Sequence, residues 1–183
     1  TDKADNQITG FNPGAMKYQA EYRLPKSNPE KSIMLIAPGN LQDMKDYAKE
    51  CRSKSTPYIC DPGQSLTAWK KESLKEWIKG SAMLITNDYE LEMVMKMTGM
   101  NKKELLRLTK TIITTLGEKG SLISTGESDI KIPPAKAGDV VDPTGAGDAF
   151  RAGLLKGIAM GKGLETSAKM GAVAATYAIE KYG

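Results

Sequence analysis

From Ser32 onward, apolar and polar residues fall into blocks that read alternately as strand and helix. Ile33–Ala37 is a short apolar run closed by Pro38-Gly39-Asn40, and Asn40 is placed to cap a helix running to about Arg52. Thr56–Cys60 predicts a second strand, ended by Asp61-Pro62-Gly63. Leu66, Trp69, Leu74, Trp77 and Ile78 then mark a helical stretch, in one piece or two. Ala82–Thr86 predicts a third strand, Asp88–Thr98 a helix stopped by Gly99, and Lys102–Thr109 another helix.

Past Thr111 the texture changes. Thr111–Leu116 and Ser121–Ser124 predict two strands joined through Gly117-Glu118-Lys119-Gly120, a hairpin connection. Ile130–Ile132 and Val140–Val141 predict further short strands, and helices over Ala146–Met160 and Leu164–Lys181 follow. Strands alternating with helices predict the α/β class: a mainly parallel sheet covered on both faces, with an antiparallel portion at the late hairpin. Residues 1–183 read as one domain, without internal repeat or low-complexity linker. The segment Thr1–Gly14 differs. A polar turn at Ala4–Asn6 and an extended run Gln7–Phe11 resemble the second half of a hairpin, which leads us to expect a portion of a longer protein.

Composition removes several functions. No histidine occurs among the 183 residues, which excludes Ser-His-Asp and Cys-His catalysis and argues against a zinc site. Acid–base work must fall to Asp, Glu, Lys or Tyr. The formal charge of +4 suits anionic ligands, but no Lys/Arg run is dense enough for nucleic acid, and no apolar run is long enough to span a bilayer. Cys51 and Cys60 form neither a metal spacing nor a disulfide framework and read as structural thiols, which favours a reducing cytoplasm.

The chemistry concentrates in Asp139–Gly153, DVVDPTGAGDAFRAG. Pro143 and Thr144 break the chain, Gly145-Ala146-Gly147 turns, and a helix begins. Unpaired amides and the helix dipole at such an end attract anions. Asp148, in the first turn, either caps the helix or takes a proton from a hydroxyl lying beside a bound phosphate. A Walker loop is absent, and a dinucleotide fingerprint would need glycine where Phe150 stands. Asn87 and Glu90 have the spacing of a helix cap, and in this context they also offer oxygens to a hydrated cation.

The segment resembles the signature of the ribokinase-like (PfkB) carbohydrate and nucleoside kinases, D-x-x-G-A-G-D-x-F-x-x-G, at Asp142, Gly145, Ala146, Gly147, Asp148, Phe150 and Gly153. Asn87-Asp88-Tyr89-Glu90 is similar to the family's N-x-x-E motif, and Thr115–Ser121 to its T-x-G-x-x-G-S hairpin. The resemblance covers nearly the whole chain. It implies a three-layer α/β/α fold, here without its N-terminal part and most of its lid, residues 1–24 being a remnant of lid and substrate strands. It implies ATP beside Thr115, Gly117 and Gly120 and the last helices around Gly171 and Ala174. It further implies an anion hole from the amides of Gly145, Ala146 and Gly147, and Asp148 as the catalytic base. Magnesium would be held through water by Asn87 and Glu90. Asp142 either helps hold a monovalent cation such as potassium, as in some relatives, or is a turn carboxylate.

The acceptor is less legible. Asn6–Phe11 with Pro13–Met16, Asp61–Gln64 and Asp148–Gly153 resemble the bacterial and archaeal adenosine kinase-like branch. The plainer alternatives are a β-turn at Asp61–Gln64 and a lid strand that packs rather than binds at Gln7–Met16. Three expectations stand: a nucleoside kinase acting on adenosine, a sugar kinase of the same family, and a nucleotide-binding module without turnover. The partner is a small molecule in each case, and a homodimer is left open.

Overall fold

The computed structural model describes residues 12–22, 24, 28 and 31–181; the turn at Ala4–Asn6 and the run Gln7–Phe11 lie outside these. Six strands form one sheet in sequential order: β1 Met34–Ile36, β2 Tyr58–Cys60, β3 Met83–Asn87, β4 Ile112–Thr115, β5 Ser121–Ser124 and β6 Asp129–Ile132. The first four are parallel, and β4–β5 and β5–β6 are antiparallel. Parallel neighbours need crossovers, which are supplied by α1 Leu41–Ser53, by α2 Lys71–Ile78, and by α3 Asp88–Thr98 with the short α4 Lys102–Leu105. The chain closes with α5 Ala146–Ala159 and α6 Leu164–Ile179.

Strands β1 to β3 read as mostly apolar runs because both faces of the parallel portion are covered. On one face Ile59, Ile85, Ile113, Ile123 and Ile132 pack with Phe150 and Leu154 of α5 and Ala168 of α6. On the other face Ile36, Cys60, Leu84 and Ile112 pack with residues of α1 to α4. Register aligns Leu84 with Ile112 and Ile85 with Ile113, so the period of two sends each row to its own layer. Trp69 and Trp77 lie 4.7 Å apart, ring centre to ring centre, within the second layer. Cys51 and Cys60 are both buried there; burial pushes the Cys51 thiol up to about 11 and the Cys60 thiol well above its usual range.

The helical stretch after β2 is in two pieces: a 3-10 segment Gly63–Ala68, then α2 after an extended Trp69. Two expectations need correction. The helix expected over Lys102–Thr109 ends at Leu105, where Leu108 N bonds Leu105 O and Leu108 O instead accepts from Gly80 N. Val140–Val141 is not a strand. The amides of Val141 and Asp142 both donate to Ile179 O at the end of α6, so their partner is a helix terminus rather than the sheet.

Candidate active site

The parallel strands all point their carboxyl ends at one edge of the sheet, where ligand crevices form in open α/β folds. Pro38 follows β1, Gly63 and Gln64 follow β2, Asn87 ends β3 and Thr115 ends β4. Together with Glu90, Gly145, Gly147, Asp148 and Arg151 they line a cavity of about 200 Å³. A larger cleft of about 560 Å³ adjoins it, sharing Thr115, Gly147 and Phe150.

Gly145 sets the floor of the smaller cavity. It precedes α5 with φ 80°, a left-handed conformation that costs other residues strain, and it has no side chain to cap the helix. Ala146 N donates to Pro143 O at 3.2 Å, and Ala149 N to Gly145 O at 2.9 Å. The amides of Gly145, Gly147 and Asp148 find no acceptor among the described residues. Of the expected amide donors, Gly145 and Gly147 are therefore open while Ala146 is engaged, and Asp148 adds one that the sequence reading did not include.

The Asp148 side chain is exposed at the cavity, and its Oδ1 accepts from Arg151 Nη2 at 2.5 Å. Arg151 Nε lies 2.9 Å from Oδ2 of Asp61, a carboxylate 1% exposed. That contact is close enough for an ion pair but not aligned as a hydrogen bond, so neither Asp61 oxygen has a well-formed one. Burial pushes the Asp61 carboxyl up to about 6; Arg151 and the Gly63 amide oppose the rise, and Glu90 and Asp148 add to it. The sequence placed Asp61 and Arg151 in the two segments that resemble the adenosine kinase-like branch, but gave neither residue a role of its own. The i, i+3 spacing of Asp148 and Arg151 at the start of a helix was the further signal.

Asn87 and Glu90 form a reciprocal capping box. Asn87 Oδ1 accepts from Glu90 N at 2.7 Å, and Glu90 Oε2 from Asn87 N at 2.8 Å. Both also line the smaller cavity, and Glu90 Oε1 takes no part in the box. Among the described residues no group of three or more Cys, Asp or Glu could enclose a metal ion. Asp142 lines neither cavity. Its Oδ1 accepts from Thr144 N at 2.8 Å, and the Thr144 hydroxyl and amide hold its carboxyl below the usual range, the pattern of a turn carboxylate.

Thr115, Gly117 and Gly120 line the larger cleft together with Ala146 and Gly147. Gly120 has φ 84°, and a Cβ there would lie 2.1 Å from Ile132 O, so the hairpin closes only with glycine. Gly171 and Ala174 are not on the wall. Gly171 faces α5, where a Cβ would meet Phe150 O at 2.7 Å, and the wall of α6 is instead Ala172, Ala175, Thr176 and Ile179. No helix among the described residues is long and apolar enough to cross a membrane.

A mainly parallel α/β sheet with a glycine turn and open helix-start amides at its carboxyl edge is an arrangement that attracts anions. The chain belongs to the pfkB family of carbohydrate kinases, whose model matches residues 2–183. It is 38% identical to a nucleoside kinase of Methanocaldococcus jannaschii, covering all of this chain and 60% of that protein. It is 31% identical to a cytidine kinase of Thermococcus kodakarensis, over 93% of this chain and 63% of that one. The structure of the Burkholderia thailandensis nucleoside kinase in complex with inosine superposes with a TM-score of 0.88 at 32% identity, covering all of this chain and 61% of that one. The fold is thus ribokinase-like, and the chain spans about three fifths of the length of the relatives it matches.

Proposed function

We propose that the full protein transfers the γ-phosphoryl group of ATP to a hydroxyl of a nucleoside, with adenosine as the expected acceptor. One observation carries the reading: open amides at Gly145, Gly147 and Asp148 share a cavity with the Asp148 carboxylate, beside a cleft roomy enough for a nucleotide. Similarity to nucleoside and cytidine kinases supports a nucleoside over a free sugar. The buried, unpaired thiols of Cys51 and Cys60 support a reducing compartment, the cytoplasm.

The division of labour follows from the geometry. The Thr115–Gly120 hairpin and α6 wall the cleft for the nucleotide, and the α5 amides receive the transferring phosphoryl oxygens. Asp148 accepts the proton of the attacking hydroxyl. Magnesium bound with ATP would supply positive charge against the phosphates. Glu90 fits an outer-shell role toward it, because only one of its oxygens is used in the cap and it lines the same cavity.

The test is ADP release by the full protein over adenosine, inosine, cytidine, ribose and fructose 6-phosphate, with Asp148→Asn alongside. Turnover on nucleosides alone is expected. Sugar-dependent release would move the acceptor to the sugar class, and no release with any acceptor would leave a binding module. Asn can still cap a helix, so Asp148→Asn should fold and bind ATP while losing about 100- to 10,000-fold in turnover. Near-normal turnover at unchanged ATP binding would show that Asp148 only caps α5.

A further inference from the structure

Asp61 is a buried carboxylate to which phosphoryl transfer assigns no task. It follows β2 directly, and burying a carboxylate is costly unless a partner compensates. Its one charged partner is Arg151, which reaches in from α5. A tie between sheet and helix does not by itself account for the pair. Breaking even against an apolar pair of like volume requires well-formed hydrogen bonds, and beside the guanidinium Asp61 has only a weak contact with the Gly63 amide that falls short of one.

What the pair does is fix a direction. The guanidinium is planar and its donors are rigidly spaced, so anchoring Nε sets where Nη2 points. Here Nη2 points at Asp148 Oδ1. Without it, Asp148 is an exposed side chain at a helix end, free to sample its rotamers. With it, Oδ1 is occupied, and Oδ2 is the oxygen left for another partner. Arg151 Nη1 lies over Gly147, 3.2 Å from where a Cβ of that residue would stand, so the guanidinium sits against the glycine turn itself.

We propose that Asp61 and Arg151 are positioning residues for phosphoryl transfer: Asp61 anchors the guanidinium from the sheet edge, and the guanidinium presents Oδ2 of Asp148 to the acceptor hydroxyl. The proposal rests on the reading of Asp148 as the base. In the step it serves, the hydroxyl proton passes to Asp148 Oδ2 as the hydroxyl oxygen bonds the γ-phosphorus. The bond from that phosphorus to the β–γ bridging oxygen breaks, and ADP leaves with the electron pair. Arg151 keeps its bond to Oδ1 throughout, so the carboxyl group does not rotate as it becomes neutral.

The experiment uses the full protein with ATP and adenosine. It measures kcat, KM for ATP and the thermal midpoint in Asp61→Asn, Arg151→Lys, Arg151→Gln, Asp148→Asn and the double variant Asp61→Asn/Asp148→Asn. Misplacing a reacting group by about 1 Å can cost about 100-fold, so Asp61→Asn should lower kcat about 10- to 100-fold with KM for ATP within about two-fold. Arg151→Lys should fall nearly as far as Arg151→Gln, because an ammonium keeps the charge but not the rigid fork. Added guanidinium should recover part of the kcat of Arg151→Gln and none of that of Asp148→Asn.

The double variant should be no slower than Asp148→Asn alone, since groups acting as one unit are not additive. A structural defect would instead multiply the two losses. Multiplied losses, or an Asp61→Asn kcat within about two-fold of the parent, would overturn the proposal, as would full activity in Arg151→Lys. If Asp61→Asn does not fold, the two Arg151 variants and the guanidinium rescue decide alone. Failure of the base reading shows separately, as normal turnover in Asp148→Asn.

Discussion

Two helices begin on the same cavity and finish their first turns in opposite ways. At α3, Asn87 and Glu90 close the terminus with a reciprocal pair of bonds. At α5, Gly145 offers no side chain, and three amides stay open. Asn101 and Glu104 close α4 with the same reciprocal box, and the Asn40 side chain accepts from Gln42 N and Asp43 N at the start of α1. An absent cap is not itself the signal, because α6 also starts at an uncapped glycine. Gly163, however, is extended, and it lines neither cavity. The left-handed turn inside a cavity sets α5 apart. Its unpaired donors cost stability that a side-chain cap would restore, and a bound anion supplies the missing partner.

Closing or bending the open terminus should therefore hurt turnover most. Gly145→Ala meets no neighbour within 4 Å, so its effect comes through the backbone alone. Holding alanine at φ 80° costs about 1–2 kcal/mol, and the turn should relax by moving its amides. Losing one aligned amide donor typically costs about 100-fold or more in kcat. A variant that loses stability by that amount yet keeps the parent kcat would show that the turn matters only to the fold.

The next effect is thermodynamic and tests the charge behind the open terminus. Burial pushes the Asp61 carboxyl up to about 6 in the folded chain, above its ordinary value of about 4. The folded state thus holds a proton that the unfolded state releases, and stability falls as pH rises from about 4 to about 6. The shift corresponds to about 3 kcal/mol as an upper estimate. Urea midpoints across that window should fall in the parent, with a shallower fall in Asp61→Asn. Equal slopes in the two proteins would mean that Asp61 is charged throughout, held so by Arg151.

The layers and the glycine turn were legible in the sequence because each is written in local chemistry. Asn40, Asn87 and Gly99 mark helix ends by residue type, and Gly145 marks a left-handed turn. Contacts between distant residues were not. Asp61 and Arg151 are 90 positions apart in the chain, and only the crossing of β2 under α5 brings them together. Which face of α6 meets the cleft depended on Gly171 packing against Phe150, a contact that helical spacing alone leaves undetermined. Val140–Val141 has strand composition, but the amides of Val141 and Asp142 donate to Ile179 O across a tertiary contact.

The smallest effects belong to the closed terminus, where a cap and a cation role share the same two residues. Asn87→Ala removes one half of the box and should cost about 1 kcal/mol of stability. Glu90→Gln separates the two roles. Glutamine keeps an oxygen able to accept from Asn87 N, so the box survives and stability should change by no more than about 0.5 kcal/mol. It removes the negative charge facing the cavity, so any outer-shell hold on magnesium weakens. A magnesium titration of kcat in the full protein should then shift to higher concentration, with the thermal midpoint unmoved. If the titration is unchanged in Glu90→Gln, the pair at α3 is a cap and nothing more, and the whole phosphate-facing chemistry of this edge rests on α5.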